Sequence, residues 1–308
     1  MSFDFSWRDE FLVWNPGDYN GQTELRTLRP NIWKPNLVVL ENVNSNFAVH
    51  DNTEISITSN GTVNWYAPVI YQTACKVNVR QFPFDVQHCN LSFLSWTFDQ
   101  SRLELWYFDD EDAKQEVFSG DGVWHLVDVA AERKDVFWAC CEQPFSIVVY
   151  TLTFERSSLF YTFSILIPSV LLTTITLALF WMPAESGEKI SLGMTNLLAF
   201  VLFQQLIADS MPPLGDQTPI ITIYLFCMVV VGCASIYVAV YVLRLYHTPS
   251  DKPVPQGVVN VVKCLSRQKA PVTWQAVSRI IDKGMFAVFL VSSVVIMVTS
   301  FIAVKHGA

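Results

Sequence analysis

Three stretches of this 308-residue chain carry no charged side chain. Ser157 to Ala184 runs for 28 residues, Gln217 to Leu243 for 27 and Gly284 to Val304 for 21. An α-helix needs about 20 apolar residues to cross roughly 30 Å of hydrocarbon, and helices of soluble proteins average only ~10–14. A fourth stretch, Ile190 to Ala208, is 19 residues long and also uncharged, but it carries Ser191, Thr195, Asn196, Gln204 and Gln205. The sequence therefore predicts four membrane spans, the second with a polar stripe.

Charge divides the chain near Arg156. Residues 1–156 hold 11 Lys+Arg against 22 Asp+Glu, and residues 157–308 hold 9 against 6. This balance excludes nucleic-acid binding, which wants a basic face, and 14% aromatic content excludes a disordered chain. The stretch Arg244–Lys283 carries seven Lys+Arg against Asp251 and Asp282, which places it in the cytoplasm. Four spans then put residues 1–156, the tail Lys305–Ala308 and the loop Met211–Thr218 outside. Asn60-Gly61-Thr62 and Asn90-Leu91-Ser92 are N-glycosylation acceptors that fit an extracellular location. The first residues have neither the basic nor the apolar region of a signal peptide, so the chain is expected to start inside a longer protein. The expected organisation is an extracellular domain over 1–156 lacking its first elements, spans one to three over 157–243, a cytoplasmic loop with amphipathic helices over 244–283, and the last span with its tail over 284–308.

The first half reads as β. Glu54–Thr58, Lys76–Arg80 and Ser146–Phe154 alternate or are dense in β-branched residues, and Asn15-Pro-Gly, Asn60-Gly61 and Ser119-Gly-Asp-Gly mark turns. Many short strands predict an antiparallel sandwich. Of seven cysteines, Cys75, Cys89, Cys140 and Cys141 lie in the extracellular half, where disulfides persist. Cys75 and Cys89 enclose 13 residues. Cys140 and Cys141, being adjacent, favour a bridge to each other over zinc, because no metal-ligand spacing accompanies them. Five scattered histidines form no ligand cluster, and no nucleotide, metalloprotease or hydrolase motif is present. Neither an enzyme nor a cofactor is expected.

The C-x13-C stretch containing Phe82-Pro83-Phe84-Asp85, followed by four spans, resembles the Cys-loop family of pentameric ligand-gated ion channels. Cys140-Cys141 with its flanking aromatics, Trp33-Lys34-Pro35 and Gly187-Glu-Lys-Ile-Ser-Leu-Gly193 resemble the nicotinic acetylcholine receptor α-type subunits. The resemblance runs over nearly the whole chain. It implies an extracellular antiparallel β-sandwich followed by a four-helix transmembrane bundle, assembled with four other like subunits into a pentamer in the plasma membrane, with the synapse as a family location. It also implies that acetylcholine or another amine is held between two subunits in an aromatic cage, where each ring attracts the cation by about 0.5–2 kcal/mol. By the family's pattern, Trp96, Trp138, Phe145 and the Cys140–Cys141 pair form the principal face, and Trp7 and Tyr66 the complementary one. Leu40 stands where the family carries an aromatic, and Trp138 and Phe145 replace tyrosines, so the cage is poor in hydroxyls. That departure leaves open another ligand, or an accessory subunit that needs a heteromeric partner.

At helical spacing, Glu188, Ser191, Thr195, Leu198, Leu202, Gln205 and Asp209 share one face of the second span. Such a face is expensive in lipid unless it meets water or partners, and several copies around an axis would turn each residue into a ring. Glu188 and Asp209, with Glu185 as a further ring, would favour cations. Leu198 and Leu202 would gate by dewetting. Sodium and potassium are the expected permeant ions, with calcium a further candidate, and lipid is the expected surround. The family's coupling pattern implies an ion pair between Asp85 and Arg156 near the membrane, a contact for Pro212 after the pore helix, and a kink at Pro168.

Overall fold

The computed structural model describes residues 2–28, 32–44, 54–68, 71–108, 122–209, 218–249, 252–266 and 272–306. It divides into two compact units, one of residues 1–77 and 86–156, the other of residues 78–85 and 157–308.

In the first unit, two four-stranded antiparallel sheets share a core. One runs in the order β1 (Ser2–Val13), β5 (Asn60–Pro68), β4 (Glu54–Thr58), β2 (Glu24–Leu28). The other runs β3 (Leu37–Val39), β6 (Val86–Ser95), β8 (Phe145–Arg156), β7 (Trp124–Val136). Period-two patterning directs the packing: Ile55, Ile57, Val63 and Trp65 of the first sheet are buried with Leu37 of the second. Phe5 crosses to the other side, edge-on to Phe93 at 6.2 Å. Tyr71 packs against both clusters, and burial pushes its hydroxyl up to about 12, so the ring stays neutral in the core.

The tight turn between β4 and β5 depends on Gly61, whose φ is +87°. A Cβ there would clash with the Asp9 carbonyl oxygen, a backbone atom that cannot swing aside. Gly61→Ala combines left-handed strain with that clash and is expected to cost about 1–3 kcal/mol. Denaturant unfolding of the protein checks this, and a midpoint equal to wild type would refute it. The Lys76–Arg80 segment, which the alternation predicts as a strand, forms no ladder, although Val77 and Val79 do face inward. Its alternation reports which side is buried, and the Asn78 side chain accepts the Arg80 N–H at 3.1 Å as part of a local turn.

The second unit is helical. The short α1 (Ser158–Tyr161), a π turn over Thr162–Leu166 and α2 (Ile167–Ala178) make one continuous helix. Pro168 has no N–H to donate back into the preceding turn, and the π turn ends two residues before it. Then come α3 (Lys189–Asp209), α4 (Ile220–Tyr246), the amphipathic α5 (Gln256–Ser266) and α6 (Trp274–His306). Among the described residues, four helices are long and apolar enough to cross a membrane: Ser158–Ala178, Lys189–Asp209, Ile220–Tyr246 and Trp274–Val304. Gly193 lets α3 lie close to α4, because a Cβ there would come within 2.9 Å of the Ile236 side chain.

Candidate functional site

Several aromatics gather where the β6–β8–β7 ladder ends. Leu94 pairs with Ile147, Trp96 follows the last residue of β6 and Phe145 opens β8, so both stand at the same end of the ladder. Phe145 also pairs with Val136, two residues before Trp138. The hairpin joining β7 to β8 carries the Cys140–Cys141 disulfide, and its turn is closed by the Cys141 N–H donating to the Trp138 carbonyl at 3.1 Å. Trp96 is 68% exposed and Trp138 is 42% exposed. Exposed indoles clustered at one sheet end are more consistent with ligand contact than with packing.

Leu40 is also exposed, but its N–H donates to the Ser92 carbonyl at 3.1 Å. That places it opposite Ser92 of β6, a strand that ends one residue before Trp96. The next residue was not evident from sequence: Glu41 accepts the Ser92 N–H at 2.8 Å and the Ser92 hydroxyl at 2.7 Å. No sequence signal marks this carboxylate, because its partner is 51 positions away.

The two complementary-face candidates differ. Tyr66 lies on the outward face of β5, opposite Asp4, and is 55% exposed. Trp7 lies on the inward face of β1, packed against the buried cluster and edge-on to Trp33 at 6.1 Å. Its indole nitrogen is buried with no acceptor among the described residues.

The seven residues at helical spacing, Glu188 just before α3 and Ser191, Thr195, Leu198, Leu202, Gln205 and Asp209 on it, are all exposed within the chain. Lys189, Gly193, Asn196, Phe200 and Ile207 form the buried side. The Thr195 hydroxyl donates to the Ser191 carbonyl at 2.9 Å, which leaves its oxygen free to accept. At the N-terminal end of α3, Lys189 is fully buried and donates to Asp282 of α6 at 2.6 Å. Glu185 accepts the Tyr246 hydroxyl at 2.9 Å and lies 3.5 Å from the Arg279 guanidinium, so its charge is partly offset, whereas Glu188 has no such partner among the described residues.

The Cys75–Cys89 disulfide is formed. Residues 78–85 of the loop it closes belong to the helical unit: the Phe82 ring meets Tyr161 at 5.0 Å, and the Ile220 N–H donates to the Arg80 carbonyl at 3.1 Å. Asp85 is buried. Arg156 ends β8 with its guanidinium 4.1 Å over the Trp124 ring. Asn60 is exposed at the hairpin turn and Asn90 is exposed mid-strand in β6. Pro212 lies outside the described residues.

Residues 1–158 match the family model of the neurotransmitter-gated ion-channel ligand binding domain, and residues 165–265 that of the neurotransmitter-gated ion-channel transmembrane region. The chain belongs to the neurotransmitter-gated ion-channel family. Among similar proteins, neuronal acetylcholine receptor subunit alpha-9 of Gallus gallus is 34% identical over 83% of this chain and 53% of its own length. Neuronal acetylcholine receptor subunit alpha-3 of Homo sapiens is 32% identical over 83% and 50%. Acetylcholine receptor subunit alpha-type acr-16 of Caenorhabditis elegans is 35% identical over 84% and 52%. The chain thus spans about half the length of the relatives it matches. Members of this family are ligand-gated channels and not enzymes, and membership together with the four spanning helices makes the chain a multi-pass plasma-membrane protein.

Proposed function

We propose that this chain is a subunit of a cation channel opened by acetylcholine or a related amine, with five like subunits arranged around a pore lined by α3. The observation that carries the reading is the exposed stripe on α3. Hydroxyls and an amide lie along a helix otherwise fit for lipid, two leucine rings stand between them, and a carboxylate marks each end. Such a face is stable only against water or other copies. The amine would sit against Trp96, Trp138 and Phe145, closed over by the Cys140–Cys141 hairpin and met from the neighbouring subunit by Tyr66. Asp85 paired with Arg156, and Pro212 after the pore helix, would carry binding to the pore. Sodium and potassium would pass between rings of Glu188 and Asp209. Because Glu185 is engaged by Tyr246 and Arg279, Glu188 is the ring expected to dominate selectivity.

The experiment is two-electrode voltage clamp on oocytes expressing the chain behind a secretion signal. Acetylcholine and a panel of amines are applied, and external sodium chloride is then diluted. A cation channel shows a reversal potential that moves negative, and Glu188→Ala is expected to shrink that shift. A positive shift would overturn the cation reading. A second reading is favoured by the scarcity of hydroxyls in the cage, where Leu40, Trp138 and Phe145 supply none: the chain would serve as one face of a heteromeric site. Surface expression with current only on coexpression of a second subunit would support it.

A further inference from the structure

We propose that the middle of the helical unit contains a binding site for a single water molecule, built around Asn196. This side chain is 8% exposed and lies on the buried face of α3, away from Ser191, Thr195 and Leu198. The orientation of its amide follows from the chemistry of its neighbours. The Leu172 carbonyl can only accept, and the Thr176 hydroxyl already donates to that same carbonyl at 3.2 Å. Both therefore face the Asn196 nitrogen, at 3.3 and 2.8 Å. The amide is planar, so Oδ1 points away from these two, and it is buried with no donor among the described residues. Buried amide oxygens are nearly always hydrogen-bonded, to protein or to ordered water.

The room for such a donor lies alongside. Asn196 lines a cavity of about 10 Å³ together with Thr176 and Leu179, Gly193 of α3, and Gly232 and Ser235 of α4. That is about the smallest space that holds one water, and too little for any larger ligand. The Ser235 hydroxyl donates to the Gly232 carbonyl at 2.7 Å, so its oxygen retains capacity to accept. Water satisfies both groups by donating one hydrogen to Asn196 Oδ1 and the other to Ser235 Oγ. A metal ion would find no charged group in this lining. The bound molecule would tie α3 to α4, as the Asn196 nitrogen already ties α3 to α2. The exposed face of α3 would thus be held in place from behind by hydrogen bonds as well as by apolar packing.

This inference does not depend on what opens the channel or whether it conducts. The test is a cryo-EM map of the full chain in lipid nanodiscs, at a resolution where buried waters are visible elsewhere in the same map. A peak at hydrogen-bond distance from Asn196 Oδ1, about 2.7–3.2 Å, is expected in the wild type and should vanish in Asn196→Leu. If that variant does not fold, the wild-type map decides alone. No peak, or a protein N–H or O–H bonded to Oδ1, overturns the proposal.

Discussion

Asp282→Ala is expected to destabilise the protein by roughly 3–5 kcal/mol, the cost of leaving a buried charge without its partner. Lys189 has no solvent exposure, and its ammonium group is 2.6 Å from the Asp282 carboxylate. Its other near neighbour of note is the Phe180 ring, 6.0 Å from the nitrogen to the centroid, and a ring at that distance replaces little of what a carboxylate supplies. The ion pair itself is not necessarily stabilising relative to a well-packed apolar pair, because both groups gave up water to form it. The double variant Lys189→Met/Asp282→Leu should therefore recover most of what the single variant loses. Thermal unfolding in detergent, with surface expression alongside, separates the cases. A single variant as stable as wild type would mean that water reaches Lys189. A double variant no better than the single would mean that the charges do more than satisfy each other.

Removing the Cys75–Cys89 bridge, as Cys75→Ala/Cys89→Ala, should cost about 3 kcal/mol in the chain-entropy account for a loop of this size. The bridge spans 14 positions and fastens a segment without a ladder to β6. The Cys140–Cys141 bridge offers a contrast within the same chain. It joins neighbours, removes little freedom from the unfolded chain, and its loss should barely move the unfolding midpoint. The comparison is made by unfolding both double variants against wild type. Equal losses would show that the larger effect lies in native-state contacts and not in loop closure.

How much the sequence disclosed depended on the range over which each signal acts. Uncharged runs and period-two alternation are local, and they sufficed for β-sheets followed by four spanning helices. They misled at Lys76–Arg80, where inward-facing valines alternate correctly but, among the described residues, no strand pairs with them in a ladder. For the candidate site, the kinds of residue were legible and their partnerships were not. Trp7 could not be assigned to a side of β1 without the register that pairs it with Val63. Glu41 with Ser92, Lys189 with Asp282 and Asn196 with Thr176 meet across 51, 93 and 20 positions. Periodicity along one helix or strand carries no information about which side chain will arrive from another.

The length of α6 has a consequence for the bilayer. Its spanning portion, Trp274–Val304, has 31 residues, about 46 Å of helix against roughly 30 Å of hydrocarbon, and only 11% of its most apolar window is buried within the chain. A helix that long must tilt or let its first turns stand in the headgroup layer, and Arg279 and Asp282 lie in those turns. The Lys189–Asp282 pair thus lies about two turns from the start of α6. Membrane thickness sets how much of this first part of α6 stands among lipid headgroups, so the contact that anchors the start of α3 answers to lipid composition as well as to protein sequence.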